Sequence, residues 1–200
     1  MKTIEIRGAE PSARQLNELV RDLRAGAVMI WPTDTLYGIA CSALDAKAVE
    51  KICRIKGIDP DKTNLSIVCS SISQAAEYAR IPDNIFRLMR LNTPGPFTFI
   101  CKAANALPKV MRGRRTVGIR IPDSSIDFSI VEALGNPVMT TSVKADDDDY
   151  LRNPSLLEEI YGHDADILLS AGDGGTENST IVDCTGAEPV VIRQGAGWLE

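Results

Sequence analysis

The chain has 200 residues, of which 44% are hydrophobic and 24% charged, so it can bury a sizeable core, and we expect a single domain spanning residues 1–200. That composition excludes a disordered tail, a collagen and a small disulfide-stabilised scaffold. Lys and Arg number 22 against 27 Asp and Glu, a net charge of −5, which excludes a globally basic field, so any phosphate site must be local.

The first half of the chain alternates between helical and extended patterns. Ser12 and Gln15 have the spacing of a capping box, and the helix that they begin ends at Gly26. Asp45 is a good N-cap for a second helix, which ends at Gly57, and further helices follow near 72–79 and from Asp83. The pattern Ile72, Ala75, Ala76 and Ala79 marks the third of these helices. The residues predicted to lie on one face of the first helix or to face inward from the second and fourth are Leu16, Leu19, Val20, Leu23, Val49, Ile52, Cys53, Phe86 and Met89.

Extended segments lie between these helices and continue to the end of the chain. We predict strands at 27–31, 65–68, 97–102, 116–121, 138–141, 167–169, 181–182 and 190–192, and further helices at 125–134 and 156–161. Helices and strands interleave throughout, which predicts a mixed α/β fold of three layers, a sheet flanked by helices.

The sequence shows neither a signal peptide nor a membrane span. Glu5 and Arg7 interrupt the N-terminus, and no apolar run approaches the roughly eighteen residues of a membrane span, so we expect a cytoplasmic protein without membrane contact.

The five cysteines are odd in number and lack C-x-x-C spacing, which argues against disulfides and a zinc knuckle. We interpret them as small buried hydrophobic residues.

Hydroxyl-rich turns adjoin three predicted strands. The sequence Pro-Thr-Asp-Thr-Leu-Tyr-Gly at 32–38 follows the first apolar strand, Thr-Thr-Ser at 140–142 ends another, and Asn-Ser-Thr at 178–180 begins a third. Open α/β sheets bind ligands at strand ends, so these groups could converge on one polar ligand. The alternative is that the turns only cap their own backbone, since Thr is common in strands.

Three cations stand beside these features. Arg120 is the most informative, because an Arg within an apolar strand is costly to bury unless it is paired or meets an anionic ligand. Its alternative is an internal salt bridge. Lys56 ends the second predicted helix, where a cation is favourable in any case, and Arg193 follows the last apolar run.

Other motifs favour structural roles or exposure. The turn at 92–98, with two prolines and a glycine, is interpreted as structural. The chain has a single histidine, His163, which excludes His-dependent triads and multi-His metal sites, and we expect it to be exposed. The acidic run 146–149 lacks the spacing of a calcium loop. The patch of Arg112, Arg114 and Arg115 is either a phosphate contact or a solvated loop, and neither a Rossmann nor a Walker motif is present.

Seven segments occur in the order and at roughly the spacing of the YrdC-like family, and the resemblance covers nearly the whole chain. The central turn Asn-Thr-Pro-Gly-Pro at 92–96 is similar to the YciO branch of that family, where better-studied members carry Trp-Pro-Gly-Pro. The matching segments are 32–38, 56–57, 93–98, 116–122, 142, 179–183 and 193–195.

The resemblance implies a YrdC/RibB-like fold, a twisted mixed sheet around a positively lined concave cavity. It also implies L-threonylcarbamoyl-AMP synthesis, a nucleotidyltransferase reaction in which L-threonine, bicarbonate and ATP give threonylcarbamoyl-AMP and pyrophosphate for tRNA modification. Mg²⁺ would accompany ATP, held by phosphate oxygens rather than by a protein site. Members are also described as binding double-stranded RNA, so tRNA or double-stranded RNA is a second implied partner.

Site residues follow from the resemblance position by position. Thr33, Arg120, Thr140 and Ser179 would contact threonine, with Arg120 on its carboxylate. Lys56 and Arg120 would be catalytic through positioning and charge stabilisation, without a covalent nucleophile. The residues implied to bind the nucleotide are Lys56, Thr116, Ser142 and Arg193.

Two motifs depart from the family. Its K-x-R motif reads Lys56-Gly57-Ile58, and its S-x-N motif reads Ser142-Val143-Lys144. The loop after Ile58 is one residue longer, which leaves Lys62 and Asn64 as candidate substitutes. One lost charge-assisted phosphate contact costs on the order of 1.5 to 3 kcal/mol, which predicts weak activity or a shifted substrate.

Three hypotheses therefore stand. The first is the synthase. The second is an RNA-binding module without synthase activity that uses the arginine patch, and the third is a nucleotide-dependent enzyme with another acceptor. We also expect no additional C-terminal domain, because the sequence ends soon after Arg193. The first hypothesis requires that Thr33, Arg120 and Arg193 point into one hollow and that no internal acid neutralises Arg120.

Overall fold

The structure is a computed structural model that describes residues 1–59, 65–104, 114–144 and 149–200. Their extended segments form one mixed sheet of eleven strands. The strands are β1 (Lys2–Glu5), β2 (Met29–Trp31), β3 (Gly38–Ser42), β4 (Ser66–Val68), β5 (Ala79–Arg80), β6 (Phe97–Ala103), β7 (Thr116–Arg120), β8 (Val138–Ser142), β9 (Ile167–Ser170), β10 (Thr180–Asp183) and β11 (Val190–Arg193).

The spatial order of the strands is β1-β9-β2-β3-β8-β4-β7-β6-β10-β11, with β5 paired to β6. The central run β2-β3-β8-β4 is antiparallel, and β4-β7 is parallel. The outer pairs β1-β9 and β6-β10 are parallel as well. The prediction of a mixed sheet is confirmed.

Seven helices accompany this sheet in the described residues. Their ends follow local signals that the sequence predicts: Ser12 and Gln15 form the capping box, Asp45 Oδ1 accepts a hydrogen bond from Ala48 N, and Gly57 ends its helix at φ 62°. The helices are α1 (Ala13–Arg24), α2 (Ala46–Lys56), α3 (Ile72–Tyr78), α4 (Asp83–Asn92), α5 (Ser125–Leu134), α6 (Asp149–Arg152) and α7 (Pro154–Tyr161).

Alternation along the strands divides the buried side chains between two cores. In β3, Ile39 and Cys41 join the core that also receives α2, α3, α4 and α7, whereas Ala40 joins the core under α1 and α5. Successive strand residues point to opposite faces, so the sheet is the middle of three layers. The predicted layering is confirmed.

Helices α1 and α5 cover only part of their face of the sheet. Their core includes Val68 of β4 and Val138 of β8, but no residue of β6, β7 or β10. Beyond α1 and α5 on the same face of the sheet, the strands carry polar side chains, among them Ser66, Thr98 and Thr140. The uncovered part of this face is where the candidate site lies.

Several local expectations need correction. The weakly patterned β1, β3, β5 and α6 were not predicted. Phe86 was expected inside but is 43% exposed, because Ile85 takes the inward position of α4 beside Met89. The acidic positions 146–148 lie outside the described residues.

The cysteines agree with their prediction, since all five are buried and free. Within the described ranges, no helix combines the length and apolarity needed to cross a membrane.

Candidate functional site

A small polar cavity of about 170 Å³ opens on the uncovered part of the sheet. It is lined by residues from β4, β6, β7, β8, β10 and β11 and from the segment just before β10. Eight of the nine lining side chains carry a hydroxyl or a guanidinium group. The lining residues are Ser66, Thr98, Arg120, Thr140, Thr141, Ser142, Ser179, Ile181 and Arg193.

Strand register brings the hydroxyl groups of neighbouring strands together. Ser66 of β4 stands opposite Thr140 of β8 and, on its other side, opposite Gly118 of β7. A Cβ at Gly118 would lie 2.4 Å from Ser66 Oγ, so the missing side chain leaves room for this hydroxyl. Two strands farther on, Thr98 of β6 pairs with Ile181 of β10.

Thr140 and Ser179 are fixed by buried hydrogen bonds. Thr140 Oγ1 accepts one from the Trp31 indole N–H at 3.2 Å. The Ser179 and Thr98 hydroxyls lie 2.9 Å apart. Both predicted threonine contacts therefore line the cavity with a defined orientation.

Arg193 reaches the cavity from the edge strand β11. Its Nε and Nη2 donate to the Ser179 carbonyl oxygen at 3.1 and 2.7 Å, and Nη2 lies 3.2 Å from Ser179 Oγ. Burial, and then the charge of Arg120, lower the pKa of Arg193. Arg193 and Arg120 therefore face the same space, and no acid among the described residues forms an ion pair with Arg193.

The turn after Arg193 lies tightly against the chain before β10. A Cβ at Gly195 would lie 2.1 Å from the Asn178 carbonyl oxygen and 2.7 Å from the Ser179 carbonyl carbon. Thr180 Oγ1 accepts hydrogen bonds from the N–H groups of Gly195 and Gly197 at 3.0 and 3.1 Å. This packing fixes where the Arg193 side chain begins.

Arg120 lies at the end of β7 and is paired with an internal acid. Its Nη2 donates to Asp34 Oδ1 at 2.5 Å and to Thr35 Oγ1 at 3.1 Å. The internal salt bridge that sequence analysis held as the alternative is therefore present, and the requirement that no internal acid neutralises Arg120 is not met. Both bonds use Nη2, and the buried Nε has no hydrogen-bond partner in the described structure.

Two carboxyl groups adjoin this arginine. Burial raises the pKa of Asp34 above its usual range, although Arg120 and the Asp123 N–H act in the opposite direction. Asp127 of α5 is fully buried, neither of its carboxyl oxygens has a hydrogen-bond partner in the described residues, and burial raises its pKa well above the usual range. The arginine therefore lies among acids that burial biases towards the protonated form.

Thr33 does not line this cavity. Its hydroxyl donates to the Leu36 carbonyl oxygen at 2.8 Å, accepts from Thr35 N at 3.1 Å and lies 3.1 Å from Thr35 Oγ1. The turn therefore does cap its own backbone, as the alternative interpretation held. Thr33 contacts the Thr35 hydroxyl, which accepts a hydrogen bond from Arg120. The requirement that Thr33, Arg120 and Arg193 share one hollow is not met, because only the two arginines line the cavity.

Lys56 lies beside the cavity rather than in its lining. Its Nζ donates to the Ser142 carbonyl oxygen at 2.7 Å, and Ser142 itself is a lining residue. Thr116 begins β7 opposite Lys102, and strand alternation puts it on the side of Arg120, about 13 Å away. Thr116 is outside the lining of the cavity.

The altered motif position Ile58 has a structural explanation. The Ile58 N–H donates to the Cys53 carbonyl oxygen at 2.9 Å, and that of Gly57 donates to the Arg54 carbonyl oxygen at 3.1 Å. This is the pattern of a Schellman motif, whose residue after the glycine packs against the helix, and Ile58 does pack on the core below α2. The candidate substitutes Lys62 and Asn64 lie outside the described residues.

Sequence reasoning missed two polar lining residues, Ser66 and Thr98, and interpreted the turn that contains Thr98 as structural. A signal for both exists. The central strands of such a sheet are normally apolar on both faces, so a hydroxyl at alternate positions of β4 and β6 indicates a face that no helix covers.

The structure tests the remaining sequence-based predictions only in part. His163 is exposed, as expected. Arg112 lies outside the described residues, whereas Arg115 is exposed and Arg114 lowers the pKa of the Cys53 thiol against the larger effect of burial. RNA binding by this patch stays a prediction. Within the described ranges, His, Cys, Asp and Glu side chains form no group of three or more that could bind a metal ion.

Comparison with known proteins shows the family to which this chain belongs. A family model for the Sua5, YciO and YrdC domain, described as telomere recombination, matches residues 21–195. The chain belongs to the Sua5/YciO/YrdC family. The resemblance to the YrdC-like family and its YciO branch is thereby confirmed.

The relatives of this Sua5/YciO/YrdC protein include YciO of Escherichia coli K12, described as uncharacterised. It is 34% identical over 190 residues, which cover 94% of this chain and 92% of YciO. The crystal structure of E. coli YciO superposes with a TM-score of 0.90 at 32% identity and covers 98% of this chain and 97% of that one.

A second relative has a named activity. The threonylcarbamoyl-AMP synthase of Pyrococcus abyssi is 30% identical over 188 residues, covering 89% of this chain and 53% of the synthase. The structure of P. abyssi Sua5 complexed with L-threonine has a TM-score of 0.83 at 26% identity and covers 97% of this chain and 57% of that one.

Proposed function

We propose that this protein is a threonylcarbamoyl-AMP synthase-type nucleotidyltransferase that acts on ATP, L-threonine and bicarbonate. The observation that carries the proposal is the convergence of Arg120 and Arg193 on one hydroxyl-lined cavity. Family membership and the named activity of the P. abyssi relative support it.

The proposed reaction needs two anions brought together. The threonine amine and bicarbonate give a carbamate and water, and a carbamate oxygen then attacks the α-phosphorus of ATP. The bond from that phosphorus to the bridging oxygen breaks, and pyrophosphate leaves with the electron pair. Such a reaction requires positioning and cationic stabilisation rather than a covalent nucleophile.

The cavity residues divide between the two substrates. Arg120, Thr140 and Ser179 would bind threonine, because an arginine matches a carboxylate and the two hydroxyls are held in fixed orientations by Trp31 and Thr98. Arg193, Ser142 and Lys56 would bind the nucleotide phosphates. Mg²⁺ would arrive with ATP and be held by phosphate oxygens.

The ion pair with Asp34 does not remove Arg120 from this role. A guanidinium group has five N–H donors, and the described bonds of Arg120 use only Nη2. The pair fixes the side chain at the cavity, and a substrate carboxylate would share the cation with Asp34. The expected consequence is weaker threonine binding than at an unpaired arginine.

Two of the implied contacts enter the proposal in altered form. Thr33 would act through Thr35, which it orients, rather than by touching threonine. Thr116 would contribute only if the nucleotide extends along β7 beyond the cavity.

Pyrophosphate release tests the proposal. The purified protein with ATP and Mg²⁺ should release pyrophosphate only when L-threonine and bicarbonate are both present. Arg193→Ala should reduce that rate roughly ten- to a hundredfold. The matched control is Arg80→Ala, at an exposed residue of β5 away from the cavity. Release that ignores threonine would point to another acceptor, and no release would contradict the proposal.

A further inference from the structure

Two buried cysteines lie side by side where β6 and β10 pair. The two strands are parallel, with Asp183 opposite Ile100, and Cys184 N donates to the Ile100 carbonyl oxygen at 2.9 Å. This hydrogen bond continues the pairing by one residue, so Cys184 stands beside Cys101. Both side chains belong to the same core and therefore lie on one face of the sheet, opposite the cavity.

The backbone separation at this pair suits a disulfide. Neighbouring strands lie about 4.7–4.9 Å apart, which falls within the roughly 4.4–6.8 Å between the Cα atoms of disulfide-bonded cysteines. The two thiols also interact directly. Hydrogen bonding to Cys184, and then burial, raise the pKa of Cys101, whereas hydrogen bonding to Cys101 lowers the pKa of Cys184 against the effect of burial. Cys184 is therefore the thiol of the pair that more readily forms a thiolate.

The two cysteines also differ in access from solvent. Cys184 is 7% exposed, whereas Cys101 is fully buried. Cys184 comes just before the turn that leads to β11, and residues 186–188 of that turn are exposed. A local opening of the turn would admit a small oxidant to Cys184 first, and Cys101 would then react with Cys184 rather than with the oxidant.

Strand pairing brings no other two cysteines together in the part of the chain that the structure describes. Cys41 of β3 stands opposite Met139, Cys53 lies on α2, and Cys69 follows β4. The proposed synthase chemistry uses none of the five thiols. Cys101 and Cys184 are thus a pair of nucleophilic groups that the candidate site does not explain.

We propose that Cys101 and Cys184 form a reversible disulfide when a hydroperoxide oxidises the protein. The Cys184 thiolate attacks one peroxide oxygen, the O–O bond breaks, and the leaving oxygen takes a proton, which gives a sulfenic acid on Cys184. The Cys101 sulfur then attacks that sulfur, and its proton leaves with the sulfenic hydroxyl as water. Two thiols are oxidised to one disulfide, and hydrogen peroxide is reduced to two waters. The inference does not rest on the proposed function.

Treatment of the folded, reduced protein with hydrogen peroxide, followed by non-reducing mass spectrometry, tests this inference. We expect the protein to lose two of its five free thiols, with one disulfide between the peptides of Cys101 and Cys184. Dithiothreitol should restore both thiols. Cys53→Ala is the matched control and should form the same disulfide, and glutathione oxidised in parallel verifies the peroxide dose.

Two further variants test the order of the steps. In Cys101→Ala the reaction should stop at a sulfenic acid on Cys184, which dimedone converts to a stable adduct. In Cys184→Ala, Cys101 should stay reduced. Circular dichroism verifies that each variant is folded, and the wild-type peptide map decides the question should either variant fail to fold.

The outcomes that would overturn the inference are specific. They are five thiols retained at a dose that oxidises glutathione, a disulfide that includes Cys41, Cys53 or Cys69, and a disulfide that forms only in denaturant. A dimedone adduct on Cys101 in Cys184→Ala would overturn the assignment of Cys184 as the attacking thiol. None of these results depends on whether the protein releases pyrophosphate.

Discussion

Arg120 and Asp34 form an ion pair beside the candidate site, with 2.5 Å between Nη2 and Oδ1 and side chains that are only 8% and 6% exposed. Asp34 belongs to the turn after β2, and its second oxygen accepts a hydrogen bond from the Asp123 N–H at 3.2 Å. The acid thus joins the turn to the end of β7. The contact with Asp34 fixes the Arg120 side chain and would also compete with a substrate carboxylate for its charge.

Neutralising Asp34 should strengthen threonine binding. Asp34→Asn keeps a hydrogen-bond acceptor but removes a negative charge next to the proposed carboxylate site, so we expect the Kd for L-threonine to fall roughly three- to tenfold. Calorimetry would measure this, with Asp164→Asn, at an exposed residue, as the control. Weaker binding would instead show that Asp34 is needed to orient Arg120.

Removing Arg120 should destabilise the protein through the acid that it leaves behind. Arg120→Ala leaves a buried carboxylate unpaired, and we expect the free energy of unfolding to fall by about 3–5 kcal/mol. In an Asp34→Asn background the same substitution should cost distinctly less. Urea denaturation of the four proteins of this double-mutant cycle measures the difference. Additive losses would mean that the pair contributes no coupling energy.

Asp127 should make stability depend on pH. Because burial raises the pKa of its folded form, the unfolded chain releases this proton at a lower pH than the folded protein, and stability is lost as pH rises through that interval. Asp127→Asn should therefore be more stable than the wild type at neutral pH, and the gain should shrink below the usual aspartate pKa. Denaturation curves at several pH values provide the comparison. An equal gain at every pH would exclude titration of Asp127 as the cause.

Gly195→Ala should impair the nucleotide site through the backbone. The added Cβ would meet the Asn178 carbonyl oxygen, so the turn must shift and Arg193 loses its anchor on Ser179. We expect a stability loss of about 1–3 kcal/mol and roughly tenfold weaker ATP binding. Gly186→Ala is the matched control, since the nearest atom there would be 3.6 Å away. Similar behaviour of the two variants would contradict this account.

Local features of the fold were predictable from the sequence, whereas the pairing inside the site was not. The Ser12 capping box and the left-handed Gly57 depend on neighbouring residues and were found correctly. The partner of Arg120 is 86 residues away, and the chain offers 27 acids. Sequence reasoning could name the salt bridge as an alternative but could not identify Asp34.

The same limit explains which lining residues were missed. Thr140 and Ser179 stood in recognisable hydroxyl clusters, but Ser66 and Thr98 are single hydroxyls within strands. Their importance depends on which part of the sheet α1 and α5 cover, and that follows from tertiary packing. A periodicity of two assigns each residue to a face, but it does not say which part of the face stays open.

The incomplete cover over the sheet bears on how relatives of this protein can diverge. On four strands a cavity residue is directly followed or preceded by a residue of the opposite core: Ser66 by Ile67, Thr98 by Phe99, Arg120 by Ile119 and Thr140 by Met139. Exchanging an open-side residue therefore changes the ligand chemistry and leaves the packing beneath untouched. An architecture of this kind lets natural selection, or a protein engineer, retune substrate choice one side chain at a time without rebuilding the scaffold.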